Sequence, residues 1–251
     1  MHFPVEIHFK NSSILLHVIM EVAAFFIGFR YYLYLKRKQG DPIESTKRTW
    51  ILIGAIFGAF IGSRLVGSLE RPLELLVTDN IWDYIYSNKT VLGGFLGGML
   101  GVELVKKMIG EKHSSGDLFT YPIILALIIG RIGCFSMGVY EETYGIPTKF
   151  FTGTNLGDGL LRHPVSLYEI VFLILLWIGL VKLEKKVTLA DGARFKIFMI
   201  AYILYRFFQD FIKPSYIVVA GLSTMQLTAI LGLIYYYRYI IHPKKLLQTH
   251  A

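Results

Sequence analysis

Long apolar runs alternate with short polar segments along almost the whole chain. The runs are roughly 18 to 25 residues long, which is enough for an α-helix to cross a hydrocarbon core about 30 Å thick. This pattern predicts an all-α, polytopic membrane protein with a single transmembrane domain over residues 1–251. About seven membrane-spanning helices are predicted, at residues 14–35, 49–68, 91–109, 118–138, 165–183, 194–212 and 218–240.

Segment 70–88 (ERPLELLVTDNIWDYIYSN) has a different pattern from its neighbours. It is amphipathic rather than uniformly apolar, which predicts that it lies along a membrane interface. The composition agrees with a membrane protein, since 54% of the 251 residues are hydrophobic, only 18% are charged, and the mean hydropathy is +0.51. Soluble domains usually carry about a quarter of charged residues.

The positive charges are distributed in a way that orients the helices. The formal net charge is +8, but most Lys and Arg residues lie in short loops between apolar runs. This distribution argues against a nucleic-acid-binding surface, so no nucleic-acid partner is predicted. Sixteen basic residues fall in the loops of one side and six in the loops of the other. Because cytoplasmic loops are the more basic ones, the N-terminus is predicted to lie outside and the C-terminus in the cytoplasm.

The N-terminal stretch and the residues able to bind metals give little further indication of function. MHFPVEIHFKNSS lacks the basic segment of a signal peptide, so no cleaved signal is expected. Cys134 is the single cysteine and excludes an internal disulfide; it fits a small buried apolar residue better than a nucleophile. His17 and His113 have no recognisable partner in the pattern. No metal-ligand cluster or nucleotide motif is visible, and therefore no metal and no cofactor are predicted.

Three arginines interrupt apolar runs at one expected depth. Arg64, Arg131 and Arg206 each lie near the outer end of a helix that runs outward, and Glu169 falls one turn into the fifth span at the same level. An arginine in hydrocarbon costs at least about 2.5–3.5 kcal/mol, which makes it a functional candidate. The three could converge on an anionic phosphate, which a guanidinium fork binds bidentately. Alternatively, they could extend to the headgroups or pair with Glu169 and Asp210.

Two further segments suit a lipid headgroup. In RHPVSLYE (162–169), Pro164 is expected to be the first residue of the fifth helix, whose free N–H groups would form an anion site. His163 at its mouth is either a general base or a cap of that helix. In AYILYRFFQD (201–210), the four-residue spacing places Tyr202, Arg206 and Asp210 on one helix face.

Glycines recur at helical spacing in the second and third spans. They form rows of small residues that let helix backbones touch, and this packing is favoured over direct contact with a ligand. The rows consist of Gly54, Gly58 and Gly62, and of Gly93, Gly97 and Gly101 beside Gly94 and Gly98.

Several of these motifs together resemble one known family. The matching stretches are GSRL at 62–65, GGFLGG at 93–98, GRIG at 130–133, YGIPT at 144–148, RHPVSLYE at 162–169 and YILYRFFQDF at 202–211. Their order and spacing are similar to those of the prolipoprotein diacylglyceryl transferases over nearly the whole chain. Each motif alone would be weak evidence, whereas the combination is specific.

The resemblance implies a function and a set of residues. Members of the family transfer the diacylglyceryl group of phosphatidylglycerol to the lipobox cysteine thiol of a prolipoprotein and release glycerol phosphate. The implied partners are therefore phosphatidylglycerol, a prolipoprotein signal peptide with its lipobox, and the lipids of a bacterial inner (cytoplasmic) membrane. The residues and the resemblance together predict Arg131, Arg206, His163 and Glu169 as catalytic, and Arg64, Tyr202, Tyr168, Gly93, Gly94 and Gly133 as substrate-binding.

The sequence departs from the family pattern at three places. Leu92 stands where members usually carry a histidine before the paired glycines, and Cys134 stands where they carry an asparagine. The acid that follows is shifted to Glu141 or Glu142. Because Leu92 cannot accept a proton, His163 or an acid such as Glu169 is expected to take the proton of the thiol.

These departures leave two alternatives to the family reaction. One is a related enzyme that transfers a lipid-derived group to another acceptor. The other is a non-catalytic phospholipid-binding or carrier protein of the membrane. A carrier would need access from both leaflets, and the clustering of charges at one level favours an enzyme.

Overall fold

The computed structural model describes residues 2–9 and 12–247, and these residues are mostly helical. The α-helices are α1 (Leu16–Gln39), α2 (Ser45–Ser68), α3 (Pro72–Val77), α4 (Ile81–Ser87), α5 (Val91–Ile109), α6 (Asp117–Met137), α7 (Val165–Lys186), α8 (Ala193–Gln209), α9 (Thr224–Tyr235) and α10 (Tyr237–Ile241). Three short 3₁₀ helices cover Gly138–Tyr140, Asp210–Ile212 and Pro243–Leu246. The predicted helical fold class is therefore confirmed in its coarse form.

Four of the described helices, α1, α2, α6 and α7, are long and apolar enough to cross a membrane. Many of their large apolar side chains are exposed on the outside of the bundle, as a lipid-facing surface requires. The chain is thus a multi-pass membrane protein. The prediction of seven spans goes beyond this finding, because α5, α8 and α9 do not meet the same length and apolarity.

The residues that the structure describes form three antiparallel hairpins, one before α1 and two between helices, which the purely helical prediction did not anticipate. They pair β1 (Glu6–Phe9) with β2 (Ser12–Leu15), β3 (Thr154–Asn155) with β4 (Leu161–Arg162), and β5 (Ile217–Val219) with β6 (Leu222–Ser223). The second hairpin precedes α7 directly and contributes to the loop that positions the start of that helix.

The seventh predicted span, 218–240, differs from the structure. Its first residues form the β5–β6 hairpin, whose turn holds Ala220 and Gly221 at positive φ values of 52° and 77°. The helix begins only at Thr224, because Ser223 caps it in a reciprocal capping box with Gln226. It then breaks at Tyr236 between α9 and α10. The turn between β5 and β6 and the cap at Ser223 therefore prevent the single long helix that the apolar run predicted.

The glycine rows pack α2 against α5, as predicted. A Cβ atom added to Gly58 would overlap the carbonyl oxygen of Gly97, and one added to Gly62 would overlap that of Gly93. Such close approach of two backbones needs residues without side chains. The packing prediction is confirmed for these pairs, and it places α5 firmly beside α2.

The core lies where α5 meets α6 to α9. Leu92, Phe198, Met199, Tyr202 and Ile203 are fully buried members of one apolar cluster. Leu92, at the position of the family histidine, is thus a core residue. Tyr202 of this cluster also donates a hydrogen bond to Glu169, so a buried polar centre borders the apolar core.

Candidate functional site

Glu169 is the centre of a buried polar cluster. It lies one turn into α7, and only 1% of its side chain is exposed. Arg131 from α6 places its Nε atom 2.8 Å from Glu169 Oε1, and Arg206 from α8 places Nη1 3.1 Å from Oε2. The hydroxyl of Tyr202 also donates to Oε1, at 2.8 Å. Three helices therefore meet at one carboxylate.

One face of α8 supplies most of this cluster. Tyr202 and Arg206 are four residues apart and share one face, as their spacing predicted, and both contact Glu169. Gln209, three residues further on, donates to Glu169 Oε2 at 3.3 Å and to the carbonyl oxygen of Val165 at 3.1 Å. Asp210, which was expected on this face, instead accepts a hydrogen bond from Ser223 beside the start of α9. The helix gives way to a 3₁₀ turn at Asp210, and this turns its side chain away.

The charges of this centre do not cancel. Arg131 and Arg206 share a single carboxylate, which leaves one positive charge in excess, and only 9% of each arginine side chain is exposed. Within residues 2–9 and 12–247, the buried Nε atom of Arg206 has no hydrogen-bond partner. The arginines therefore do pair with Glu169, which was one of the alternatives from the sequence, but this carboxylate neutralises only one of their two charges. A buried excess charge and an unused donor are favourable for an additional anion.

Two charged residues near Arg206 were not predicted. Burial raises the pKa of the Glu70 carboxyl, while burial and the charge of Arg206 lower the pKa of the Lys213 ammonium. Both shifts favour the neutral forms of these side chains. The guanidinium groups keep their charge under all ordinary conditions and so carry the positive charge of the centre.

Arg64 lies apart from the other two arginines. Its guanidinium covers the ring of Tyr86 at 4.9 Å and donates to the carbonyl oxygen of the same residue in α4. This corrects the expected convergence of three arginines, since only Arg131 and Arg206 meet at Glu169. The short helix α4 packs against α2 and binds the arginine that the helical pattern alone directed toward the other two.

The start of α7 differs from the expected anion site. Pro164 is the N-cap, and the helix begins at Val165. The amide of Val165 donates to the carbonyl oxygen of His163 at 2.9 Å, and those of Leu167 and Tyr168 donate to that of Pro164. Because these amides are used locally, the helix start offers fewer free N–H groups than predicted.

His163 and Tyr168 contact each other rather than Glu169. His163 Nδ1 lies 3.1 Å from the Tyr168 hydroxyl, which also bonds to Thr152. The backbone of His163 is bonded to Gly145 and Ile146, so the loop before α7 is well fixed. The two residues form a second polar pair at the same end of α7.

The three glycines predicted to bind substrate have different surroundings. Gly93 contacts the backbone of α2, and a Cβ atom on Gly133 would lie 2.9 Å from that of Met20 in α1. Both are helix-packing positions, and their contact with substrate stays a prediction. Gly94 has more room, because its nearest neighbour would be 3.6 Å from an added Cβ atom.

Sequence reasoning missed a group formed by His17, Cys134 and Glu141. One possible ligand atom from each lies within 4.8 Å of the others, and Cys134 Sγ is 3.6 Å from Arg131 Nη1. These residues come from α1, α6 and the loop after Gly138–Tyr140. The sequence singled out Cys134 and Glu141 as departures from a family pattern, but nothing in it linked them to His17.

The fold and the site define a multi-pass membrane protein with a buried cationic centre between its helices. The family model for prolipoprotein diacylglyceryl transferase matches residues 4–242, and the chain belongs to this family.

Individual relatives agree with the family assignment. The chain is 30% identical to the phosphatidylglycerol–prolipoprotein diacylglyceryl transferase of Wolbachia pipientis subsp. Culex pipiens, over 85% of this chain and 80% of the relative. It is 26% identical to the enzyme of the same name from Campylobacter hominis, over 92% and 85% of the two chains. The enzyme of Cupriavidus metallidurans is 27% identical over 84% and 80%.

Proposed function

We propose that this protein transfers the diacylglyceryl group of phosphatidylglycerol to the lipobox cysteine thiol of a prolipoprotein. Family membership and the names of the relatives support this reaction. The observation that carries it to particular residues is the pair of buried arginines that share Glu169 with one positive charge in excess. A phosphodiester headgroup is the anion that such a pair is suited to bind.

The reaction is a displacement at carbon. The sulfur of the acceptor attacks the C3 carbon of the glyceryl unit, and the bond between this carbon and the phosphate oxygen breaks. The electron pair stays on the leaving glycerol phosphate, whose charge increases. Arg131 and Arg206 stabilise that developing charge, because fixed guanidinium donors in a dry site are most effective where charge appears.

Glu169 acts in this scheme as a positioning residue. It accepts hydrogen bonds from Tyr202 and Gln209 and contacts both arginines, so its oxygens are fully engaged. A carboxylate held in this way is a poor proton acceptor. Its contacts hold the two guanidinium groups on one carboxylate, and the hydrogen bond from Tyr202 fixes that carboxylate in turn.

The contacts of His163 favour a positioning role over the alternative of a general base. Its Nδ1 atom is bonded to Tyr168, and its carbonyl oxygen accepts the first amide of α7. These bonds hold the helix start that carries Glu169. Leu92 replaces the histidine that family members usually carry, so another group must help to remove the proton of the thiol.

The membrane arrangement that we propose has seven spans in the inner membrane of a bacterium, with the N-terminus outside and the C-terminus in the cytoplasm. Residues 70–88 would lie along the outer interface. Their two short helices expose Leu73, Leu76, Val77 and Trp82, which suits contact with lipid. The arginine centre then opens to the outer leaflet, where a prolipoprotein emerges.

A reconstituted transfer assay tests the proposal. Purified protein in phosphatidylglycerol vesicles should convert a synthetic lipobox peptide to its diacylglyceryl thioether and release one glycerol phosphate per peptide. A peptide with serine in place of the lipobox cysteine should remain unmodified. Release of glycerol phosphate without modified peptide would instead support a related transferase with another acceptor, which the buried Leu92 favours as the second candidate.

A further inference from the structure

His17, Cys134 and Glu141 bring an imidazole, a thiol and a carboxylate together at the outer end of the bundle. His17 is the second residue of α1, Cys134 lies one turn from Arg131 on α6, and Glu141 follows the 3₁₀ turn after α6. One ligand atom from each residue lies within 4.8 Å of the other two. This combination of nitrogen, sulfur and oxygen donors is typical of a zinc site.

The spacing of the atoms is close to that of a tetrahedral site. Zinc bonds of about 2.0–2.3 Å at tetrahedral angles separate ligand atoms by roughly 3.3–3.8 Å. His17 Nδ1 lies 3.3 Å from Glu141 Oε2, and small side-chain rotations would bring Cys134 to a similar distance. Both atoms are buried, and neither has a hydrogen-bond partner among the described residues. A shared cation would satisfy both.

A second carboxylate lies near His17, at a distance longer than a hydrogen bond. The other ring nitrogen of His17, Nε2, faces Glu21 Oε2 at 3.8 Å, and Glu21 Oε1 accepts a hydrogen bond from Lys89 at 3.1 Å. Metal-bound histidines commonly direct their second nitrogen to a carboxylate, which orients the ring. The close packing of Gly133 against His17 and Met20 fixes α1 on α6 at this level. His17 and Cys134 are therefore held by two packed helices, and Glu141 follows α6 after the 3₁₀ turn.

The charges and the exposure suit a divalent cation with one open position. A Cys134 thiolate and the Glu141 carboxylate would together neutralise two positive charges. Arg131 Nη1 lies 3.6 Å from Cys134 Sγ and places a cationic donor beside the sulfur. The side chains of His17 and Glu141 are 18% and 29% exposed, so the cluster borders the surface although the facing Nδ1 and Oε2 atoms are buried.

We propose that His17, Cys134 and Glu141 bind a zinc ion whose fourth position receives the acceptor thiol. The role in catalysis rests on the proposed function, while the site itself does not. The thiol loses its proton to water when its sulfur binds the metal, because coordinated thiols are deprotonated. The thiolate then forms the new carbon–sulfur bond while the carbon–oxygen bond to the phosphate breaks next to Arg131. This arrangement supplies the thiol activation that Leu92 cannot.

Cobalt binding tests the site directly. The full-length protein in detergent is stripped with a chelator and titrated with Co²⁺, which reports a bound thiolate by a sulfur-to-cobalt charge-transfer absorption. We expect saturation at one Co²⁺ per chain and displacement by Zn²⁺. Cys134→Ser should abolish the charge-transfer band, and His17→Gln should weaken binding at least about tenfold.

Glu142→Gln is the matched control, because Glu142 is paired with Arg71 and does not belong to the cluster. It should bind Co²⁺ like the unaltered protein. Absence of the charge-transfer band in the unaltered protein would overturn the proposal and leave a simple ion pair between His17 and Glu141. Equal absorption in Cys134→Ser would overturn it as well.

A second measurement separates the metal site from the transfer reaction. Cobalt binding is measured without either substrate, so an intact site in a protein without transfer activity would refute the proposed function alone. If the metal-free protein transferred diacylglyceryl at the full rate, the catalytic role of the metal would be refuted. We expect the rate to fall at least about a hundredfold on metal removal and to recover on addition of Zn²⁺, as for loss of an activated nucleophile.

Discussion

At the scale of single residues, Arg131 and Arg206 differ from the other arginines of the chain. They contact the same buried carboxylate from two different helices, whereas Arg30 is exposed to the surroundings of α1. The shared Glu169 carboxylate holds both guanidinium groups in place but neutralises only one of their two charges. This arrangement suits the transient binding of a phosphate, since a full set of counter-ions would compete with it.

We expect Arg131→Lys and Arg206→Lys each to lower kcat/KM for transfer about a hundredfold or more. Each change removes a planar fork in a dry site, and the loss corresponds to about 3 kcal/mol of transition-state stabilisation. The assay measures the formation of the thioether peptide in phosphatidylglycerol vesicles. Arg30→Lys is the control and should keep the normal rate. Near-normal activity of both buried variants would disprove the phosphate clamp.

His163 provides a second prediction at this scale. If its role is to hold the start of α7, His163→Asn should lower the transfer rate less than about tenfold at every pH, because a cap contributes about 1 kcal/mol to stability. Loss of a general base would instead lower the rate about 10²- to 10⁴-fold. A pH–rate profile of the variant distinguishes the two roles. A large loss that recovers at high pH would identify His163 as the base.

At the scale of the elements, the contact between α2 and α5 depends on residues without side chains. Gly58 and Gly62 of α2 lie against the backbone of Gly97 and Gly93. Since α5 also packs on the core that contains Tyr202, a displacement of α5 would reach the arginine centre through that core.

We expect Gly58→Ala to destabilise the protein by about 1–3 kcal/mol, because the new methyl group would force two helix backbones apart. The thermal unfolding midpoint in detergent should fall accordingly. Gly179→Ala is the matched control, since Gly179 lies within α7 and an added Cβ atom there would meet no neighbour within 4 Å. The control should be neutral or slightly stabilising, because alanine favours a helix over glycine. Equal midpoints for Gly58→Ala and the unaltered protein would contradict tight packing.

At the scale of the whole molecule, the basic residues of the loops predict which end of the bundle faces outward. The arginine centre should lie at that same end. The centre lies at the end of the bundle that carries few basic residues, near the loop before α7. If that end faces outward, phosphatidylglycerol of the outer leaflet and an emerging prolipoprotein reach it from the same side.

The orientation is tested with single cysteines in a Cys134→Ser background. Lys38, in the last turn of α1, and Lys149, between α6 and α7, are both exposed and are predicted to lie on opposite sides of the membrane. With the outer barrier of the cells permeabilised, a membrane-impermeant thiol reagent should label Lys149→Cys and leave Lys38→Cys unlabelled until the inner membrane is disrupted. The opposite pattern would reverse the orientation and place the site in the cytoplasm.

Properties that depend on neighbouring residues could be predicted from the sequence. Apolar runs indicated α1, α2, α6 and α7, because hydrophobic length alone decides whether a helix can cross a bilayer. The glycine rows indicated a close helix contact for a similarly local reason, since four-residue spacing keeps small residues on one face. Arg131 and Arg206 stood out because a charge in an apolar run is costly wherever the helix packs.

Pairings between distant segments were decided by the tertiary structure. The rotation of α7 determined that Glu169 serves two arginines, and the packing of α4 on α2 determined that Arg64 meets Tyr86 instead. The cap at Ser223 shortened the last predicted span. His17, Cys134 and Glu141 are far apart along the chain, and only the contact between α1 and α6 brings them within reach of one cation. Which side chains meet depends on how the helices rotate and cross. The hydrophobic pattern of a single helix does not determine either, because both depend on packing against neighbouring helices.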